Sequence, residues 1–327
     1  MGNFEKNLEM VHFQLTRNCN LHCWFCGQWG KKGFFSNSSG SAMTLDDWKR
    51  TADSLVRNRE ITGASPAIML WGGEPLLSPY FEEIVCYLKE RDFELGMVTN
   101  GTLIDKHLSL CRDALSKIYV SIDGPSAIHN SIRGEGVFEK VSENLQKLKF
   151  DDVTVMSVLT AELLDCLEDF PYALEAMKPK RLYLQEMIVM SEDEINRYAA
   201  WLKSAFGMTA KEIYSWQGQL GEEYYAKKDR ILNEVLKKDY PFPVIHLPHG
   251  NTAHNCYSSQ RHMHIAWNGN VLYCTDFYDF SAGNVKESDV IEIFNNSISD
   301  RYREEIAQGN CPSCNHCSWK NNDMFNL

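Results

Sequence analysis

Three cysteines, Cys19, Cys23 and Cys26, stand in the spacing Cys-x3-Cys-x2-Cys within one short stretch. Iron–sulfur clusters normally take four thiolates, so three on one loop would hold three irons and leave the fourth without a protein ligand. An open metal position binds a small molecule, as it does in catalytic zinc sites. A zinc ion completed by a distant residue is the competing reading of the same thiols. A second pattern runs from Cys256 through Gly269 to Cys274, and Cys311, Cys314 and Cys317 return near the end of the sequence. A turn at Gly269 would bring the segments bearing Cys256 and Cys274 together, and the last three thiols would complete a site. A zinc knuckle competes here too, since zinc also favours Cys-x2-Cys. The other three of the eleven cysteines, Cys86, Cys111 and Cys166, stand singly in apolar or helical stretches, where a thiol serves as a small hydrophobe.

Loops that carry such ligands need a frame, and the sequence describes one. Short apolar runs at 10–16, 67–71, 94–99, 117–122, 152–159 and 181–187 alternate with amphipathic stretches at 44–58, 79–91 and 137–149. Thr44 and Asp47 are placed as a capping box at the head of the first of these stretches. Strands separated by helices predict a parallel sheet, because parallel neighbours need crossover connections. The first cysteine cluster follows the first strand. Turn or polar residues follow others: Gly72-Gly73, Asn100-Gly101 and Asp123-Gly124-Pro125. In barrel-type α/β folds these loops carry the chemistry.

Residues 191–250 read as a charged, helical linker or cover with no motif. Beyond Pro248, Asn268-Gly269 between two apolar runs predicts a hairpin, followed by short helices near 289–296 and 299–308. The expected architecture is α/β: a partial (β/α)6 TIM-type barrel over 10–190, the helical cover over 191–250, and a small hairpin-plus-helices domain over 251–327.

Cys19-x3-Cys23-x2-Cys26 after the first strand, with Trp24-Phe25 before the third cysteine, resembles the signature of the radical SAM superfamily. The resemblance implies a [4Fe-4S] cluster whose open iron chelates S-adenosylmethionine, and reductive cleavage to a 5′-deoxyadenosyl radical. Gly72-Gly73-Glu74-Pro75 is similar to the family's GGE motif, which binds the methionine amino group. Glycines let backbone approach closely, and Glu74 offers an acceptor to an ammonium. By the same resemblance Asn100, Ser121 and Asp123 contact the methionine or ribose, and Arg133 pairs with the carboxylate. Gln185 or Glu186 would face the adenine or the substrate.

Gly283-Asn284-Val285 and Ile291-Glu292-Ile293-Phe294 between the later cysteines resemble the SPASM and twitch domains, which carry auxiliary [4Fe-4S] clusters. The full SPASM pattern has seven cysteines and two clusters, and five are present here. The resemblance therefore implies one auxiliary cluster on Cys256, Cys274 and two of Cys311, Cys314 and Cys317, with the choice among the three open. In sulfatase-maturing enzymes an Asp directly follows the corresponding cysteine and acts as a base. Here Thr275 intervenes, and Asp276 is the candidate, against a plain turn carboxylate.

The composition narrows the partners. The net charge of −11 argues against nucleic acid and anionic membranes, which need a basic face. No apolar run approaches the ~20 residues of a bilayer span, and Met1–Met10 lacks an apolar signal core. A cytoplasmic protein is expected, without the disulfides of a secreted framework.

Three functions compete. The first is oxidative modification of a ribosomally made peptide, although the barrel begins so near Met1 that leader binding would need a separate protein or a short surface. The second is a dehydrogenase or epimerase of a small molecule such as an aminocyclitol or sugar, for which Cys166 or the spare terminal thiol would be the hydrogen donor to test. The third is an iron–sulfur electron carrier, which leaves Gly72–Pro75, Asn100, Ser121, Asp123 and Arg133 unexplained. A flavodoxin or ferredoxin is the donor that the resemblance implies. The histidines 246, 249, 254, 262 and 264 follow no ligand spacing and are expected at the surface or in the core.

Overall fold

A computed structural model of the chain describes residues 6–29, 33, 40–249, 256, 258–274 and 276–317. Met1–Glu5, His254 and Thr275 lie outside the described residues. The six expected strands form: β1 Met10–Thr16, β2 Ala67–Gly72, β3 Leu95–Thr99, β4 Lys117–Ser121, β5 Val153–Val158 and β6 Arg181–Gln185. Each pairs in parallel with the next. The sheet is longer than expected. A seventh strand, β7 Val244–Leu247, adds in parallel to β6. The hairpin of β8 His262–Ile265 and β9 Val271–Leu272 docks β8 in parallel on β1. The order is β7-β6-β5-β4-β3-β2-β1-β8-β9, an open sheet whose flanks are strands from the last third of the sequence.

Side chains alternate between the two faces of a strand, and that alternation makes the two interiors. Val11, Phe13 and Leu15 of β1, with Ile68, Leu70, Met97, Val120, Val155 and Leu184, pack outward under the helices. Met10, Met69, Tyr119, Met156, Tyr183 and Leu247 meet on the opposite, inner face. Helix Leu45–Thr62 starts on the expected box, with Thr44 and Asp47 capping each other's backbone, and ends at Gly63 with φ 77°. It also ties in the C-terminal segment, since Ser54 (2.6 Å) and Arg57 (2.9 Å) donate to Asp289. Tyr273, Phe280, Phe294 and Tyr302 of that segment pack on one another and join the main core, where Phe206 meets Phe280 and Tyr302. Among the described residues no helix is long and apolar enough to cross a membrane.

Candidate active site

The loop after β1 turns tightly on itself. Cys26 N–H donates to the Cys23 carbonyl (3.1 Å), and Trp29 N–H to the Cys26 carbonyl (3.2 Å). It is stitched to the loop after β2 through Gly73 N–H to the Thr16 carbonyl and Glu74 N–H to the Asn18 carbonyl, both 2.8 Å. Cys19, Cys23 and Cys26 all line one cavity of about 290 Å³ at the C-terminal ends of the strands. Burial pushes the Cys19 thiol up to about 11 and raises Cys23, against the pull of the Arg133 guanidinium. Metal binding to these thiols must therefore expel protons. The donor set fits a cluster with one open iron: three thiols converge on a cavity whose lining contains no other cysteine.

The rest of the rim comes from the ends of β2, β3, β4 and β6 and from the end of the helix Ser126–Arg133 that follows β4. Gly72, Gly73, Asn100, Ser121, Arg133 and Gln185 line the same cavity. Glu74 lies fully buried beneath it, and its carboxylate accepts from Thr99 Oγ1 (2.7 Å), Asn100 N (2.7 Å) and Leu76 N (3.2 Å). Burial pushes its pKa up to about 7 against those hydrogen bonds. In this arrangement Glu74 fixes Asn100, which in turn donates to Cys19 Sγ at 3.8 Å. Sequence reasoning had no means of seeing that intermediary position, since the spacing of a motif does not say which atoms of it face a ligand.

Asp123 is also fully buried and lines a deeper extension of about 200 Å³ that shares Ser121, Arg133, Gln185 and Asp276 with the first cavity. Its Oδ2 accepts from Arg133 Nε at 2.6 Å and its Oδ1 from Val158 N at 3.0 Å. Burial works against the Arg133 charge, yet Asp123 and the Cys23 thiol raise its pKa above the ordinary value. Removing one partner of a buried pair strands the other, at a cost of about 3–5 kcal/mol. Arg133→Met is therefore expected to destabilise the fold by that amount in urea unfolding. Arg133→Met with Asp123→Leu should recover most of the loss, because no charge is then left alone. Equal losses in both variants would contradict the pairing.

The C-terminal third closes the site. Asp276 and Tyr278 line the main cavity, although Cys274, two residues earlier in the chain, belongs to the second thiol set. The Tyr278 ring stacks on Trp71 at 6.0 Å, and the Arg17 guanidinium lies 5.9 Å from the Tyr278 ring and 5.6 Å from that of Trp267. Arg17 is ion-paired with Glu212 at 2.8 Å, and Asp279 accepts from the N–H groups of Lys211, Glu212 and Ile213. Trp216 completes the clamp: its Nε1 donates to the Asp276 carbonyl at 2.9 Å, and its ring abuts Gly27, where a Cβ would sit 2.5 Å from it. One indole thus sets the cysteine loop and the Asp276 loop against each other.

The second thiol set also comes together. Cys314 interacts electrostatically with Cys311, Cys256 and Cys317, and Cys274 with Asp276 and Cys317. The buried rings of Tyr198 and Tyr302 lie beside them, each sensing Cys274, Cys311 and Cys314. Burial raises the Cys274 thiol well above its ordinary value. Cys311 and Cys317 are buried and Cys256, Cys274 and Cys314 half-buried, and five thiols linked in this way are enough for a fully ligated iron–sulfur cluster with one to spare.

Cys166 packs against the outer core and is absent from the cavity lining. His246 (3.0 Å), His249 (3.5 Å) and Lys228 (2.7 Å) surround the carboxylate of Glu186 on the cavity rim. Arg17, Trp71, Trp216 and Tyr278 were not anticipated as site residues. Tyr278 carried a usable signal, standing two residues beyond Asp276, whereas Trp216 comes from a stretch without a motif.

The comparisons with known proteins agree with this geometry. The model of the radical SAM superfamily matches residues 13–166, and that of the SPASM iron–sulfur cluster-binding domain matches residues 256–318. The chain is 24% identical to Fe-coproporphyrin III synthase of Methanosarcina barkeri, over 95% of this chain and 80% of that protein. It is also 24% identical to the antilisterial bacteriocin subtilosin biosynthesis protein AlbA of Bacillus subtilis, over 93% of this chain and 65% of that one. Its fold is similar to that of Streptococcus suis SuiB, with a TM-score of 0.66 at 12% identity, over 96% of this chain and 72% of that one. SuiB has also been solved with S-adenosylmethionine and with its precursor peptide SuiA.

Proposed function

Because this chain belongs to the radical SAM superfamily and carries a SPASM iron–sulfur domain, we propose that it oxidatively modifies a ribosomally made peptide. The observation that carries this reading is the position of Asp276. A loop that leaves the second thiol set at Cys274 delivers a carboxylate to the wall of the cavity that holds Cys19, Cys23 and Cys26. Hydrogen abstraction and proton removal would thereby be served from one chamber, with the second thiol set two residues away along the chain at Cys274. Two of the similar proteins point to peptides, since AlbA is named for bacteriocin biosynthesis and SuiB has been solved with a precursor peptide, while others are named Fe-coproporphyrin III synthase and GTP 3′,8-cyclase.

Cys19, Cys23 and Cys26 would hold the first cluster, and Cys256, Cys274 and two of Cys311, Cys314 and Cys317 the auxiliary one. Bound there, the first cluster and S-adenosylmethionine supply one-electron cleavage to a 5′-deoxyadenosyl radical. The protein's own groups bind and orient. Gly72 and Gly73 bring backbone to the rim, and Asn100, held by Glu74, presents its amide beside Cys19. The ion pair of Arg133 runs through Nε, which leaves the terminal nitrogens of its fork for a carboxylate. Ser121 and Gln185 offer hydrogen bonds to the ribose, adenine or substrate. Trp71 and Tyr278 wall off water, and Asp276 takes the proton that leaves the substrate. A flavodoxin or ferredoxin would deliver the starting electron.

Substrate trials test the reading. Loss of two hydrogens from a peptide, dependent on its leader, is the expected result, and turnover of a free sugar or cyclitol with no change in peptides would replace it. With the substrate in hand, Asp276→Ala should lower product formation about a hundredfold while 5′-deoxyadenosine still forms. Wild-type product formation in that variant would end the role of Asp276.

A further inference from the structure

The sheet's inner face holds two cavities at opposite ends of the strands. The deep extension of the reaction chamber has Asp276 and His12 in its lining. At the other end, a second cavity of about 200 Å³ is lined by Glu9, Ser65, Glu94, Ser116, Lys117 and His262, among others, at the starts of β1, β2, β3, β4 and β8. Between them the inner face is mostly sealed by Met69, Tyr119, Met156, Tyr183 and Leu247. The polar break in that layer is made of histidines. His12 of β1 is in register with His264 of β8, and Met10 with His262. The His12 ring centroid lies 4.1 Å from that of His264 and 5.9 Å from that of His262.

We propose that His12, His264 and His262 form a proton path that drains the reaction chamber to the opposite end of the strands. His12 and His264 are buried to 3% exposure, and His264 Nδ1 has no hydrogen-bond partner among the described residues. Burial, then the neighbouring histidines, pushes both rings well below the ordinary imidazole value, so both are neutral at rest. A neutral imidazole accepts a proton at one nitrogen and releases one from the other, which lets a row of rings pass a proton without storing charge. Rings at these separations connect by a reorientation or through a single water. At the far end Glu94 is exposed, and Glu9 and Lys117 complete a charged rim that hands protons to solvent.

The path rests on the oxidative reading. There the substrate loses a hydrogen atom from carbon to the 5′-deoxyadenosyl radical. It then gives up one electron, for which the auxiliary iron–sulfur cluster would be the acceptor, and one proton, from a heteroatom or adjacent carbon, into the deep extension that His12 lines, as a new bond forms between the two substrate centres. With substrate and S-adenosylmethionine filling the mouth, that proton needs another exit, and His12 lines the same pocket as Asp276.

The test uses the fully loaded protein and His262, the histidine farthest from the chemistry. His262→Leu should leave 5′-deoxyadenosine formation within about twofold of wild type and lower oxidised product about tenfold. His262→Gly should behave alike and regain product formation when imidazole is added, because the lower cavity then has room for it. Unchanged product in both variants overturns the path. An independent readout is the exchange of the His12 and His264 imidazole N–H with solvent, followed by NMR on histidine labelled with nitrogen-15. Exchange slowed in His262→Leu supports the path, and exchange at the wild-type rate overturns it. If wild-type protein forms 5′-deoxyadenosine but no oxidised product, the oxidative reading fails, and the exchange experiment alone decides the path.

Discussion

Gly73→Ala is expected to cost the protein its first cluster and leave the second in place. A Cβ at this position would lie 2.3 Å from the carbonyl oxygens of both Arg17 and Asn18. Those atoms are backbone and belong to the segment that carries Cys19, so relief of the clash requires the cysteine loop itself to move. The loop is pinned on the same side by the Glu74 N–H bond to the Asn18 carbonyl, which would be strained or broken. Overpacking of this kind costs about 1–3 kcal/mol in stability. The functional cost is larger, because a displacement on the order of 1 Å at a reacting centre is worth about a hundredfold in rate. Iron and sulfide should fall by about half relative to wild type, and 5′-deoxyadenosine formation by a hundredfold or more on that order. Gly221→Ala is the control: nothing lies within 4 Å of its added Cβ and its φ is −72°, so a change within about 0.5 kcal/mol is expected. Full iron content in Gly73→Ala would contradict the close approach of the two loops.

The second large effect concerns Cys23. Its side chain is buried beside Arg133 and Cys26, so removal of the thiol takes away one of only three anchors for the first cluster and leaves no cysteine in the lining to replace it. The auxiliary site draws on a separate set of five thiols and should load normally. The variant is therefore expected to retain the auxiliary cluster's iron and to lose cleavage of S-adenosylmethionine. Cys166→Ala, which removes a thiol packed against the outer core, should do neither.

Much of this was legible in the sequence because the signals are local. Short apolar runs between amphipathic stretches located the six strands that follow one another through crossovers, and Thr44 with Asp47 marked a helix start by a bond spanning three residues. The thiol spacings likewise act within a few residues of chain. What was not legible depends on pairing across long separations. β7 is a run of four residues between Pro243 and Pro248, too short to read as a strand by itself, and it pairs in parallel with the edge of β6. The docking of β8 on β1 joins residues some 250 apart, and it places His264 on His12. His246, His249, His262 and His264 looked unpatterned because their partners, Glu186 just beyond β6 and His12 on β1, lie far from them in the chain. Trp216 had no motif because its role is set by Gly27 and Asp276, which approach it from two different loops. The buried places of Glu74 and Asp123 show a further gap, since a motif names residues without saying which of them line the cavity wall.

We propose that Cys19, Cys23 and Cys26 form the site at which S-adenosylmethionine starts radical chemistry. The most direct measurement is 5′-deoxyadenosine formed by protein reconstituted anaerobically with iron and sulfide, then given S-adenosylmethionine and a strong reductant, beside Cys23→Ala treated identically. 5′-Deoxyadenosine is expected from the wild type, and background alone from Cys23→Ala. Equal formation by both proteins, or none from the wild type even with candidate peptides and small molecules present, would contradict it.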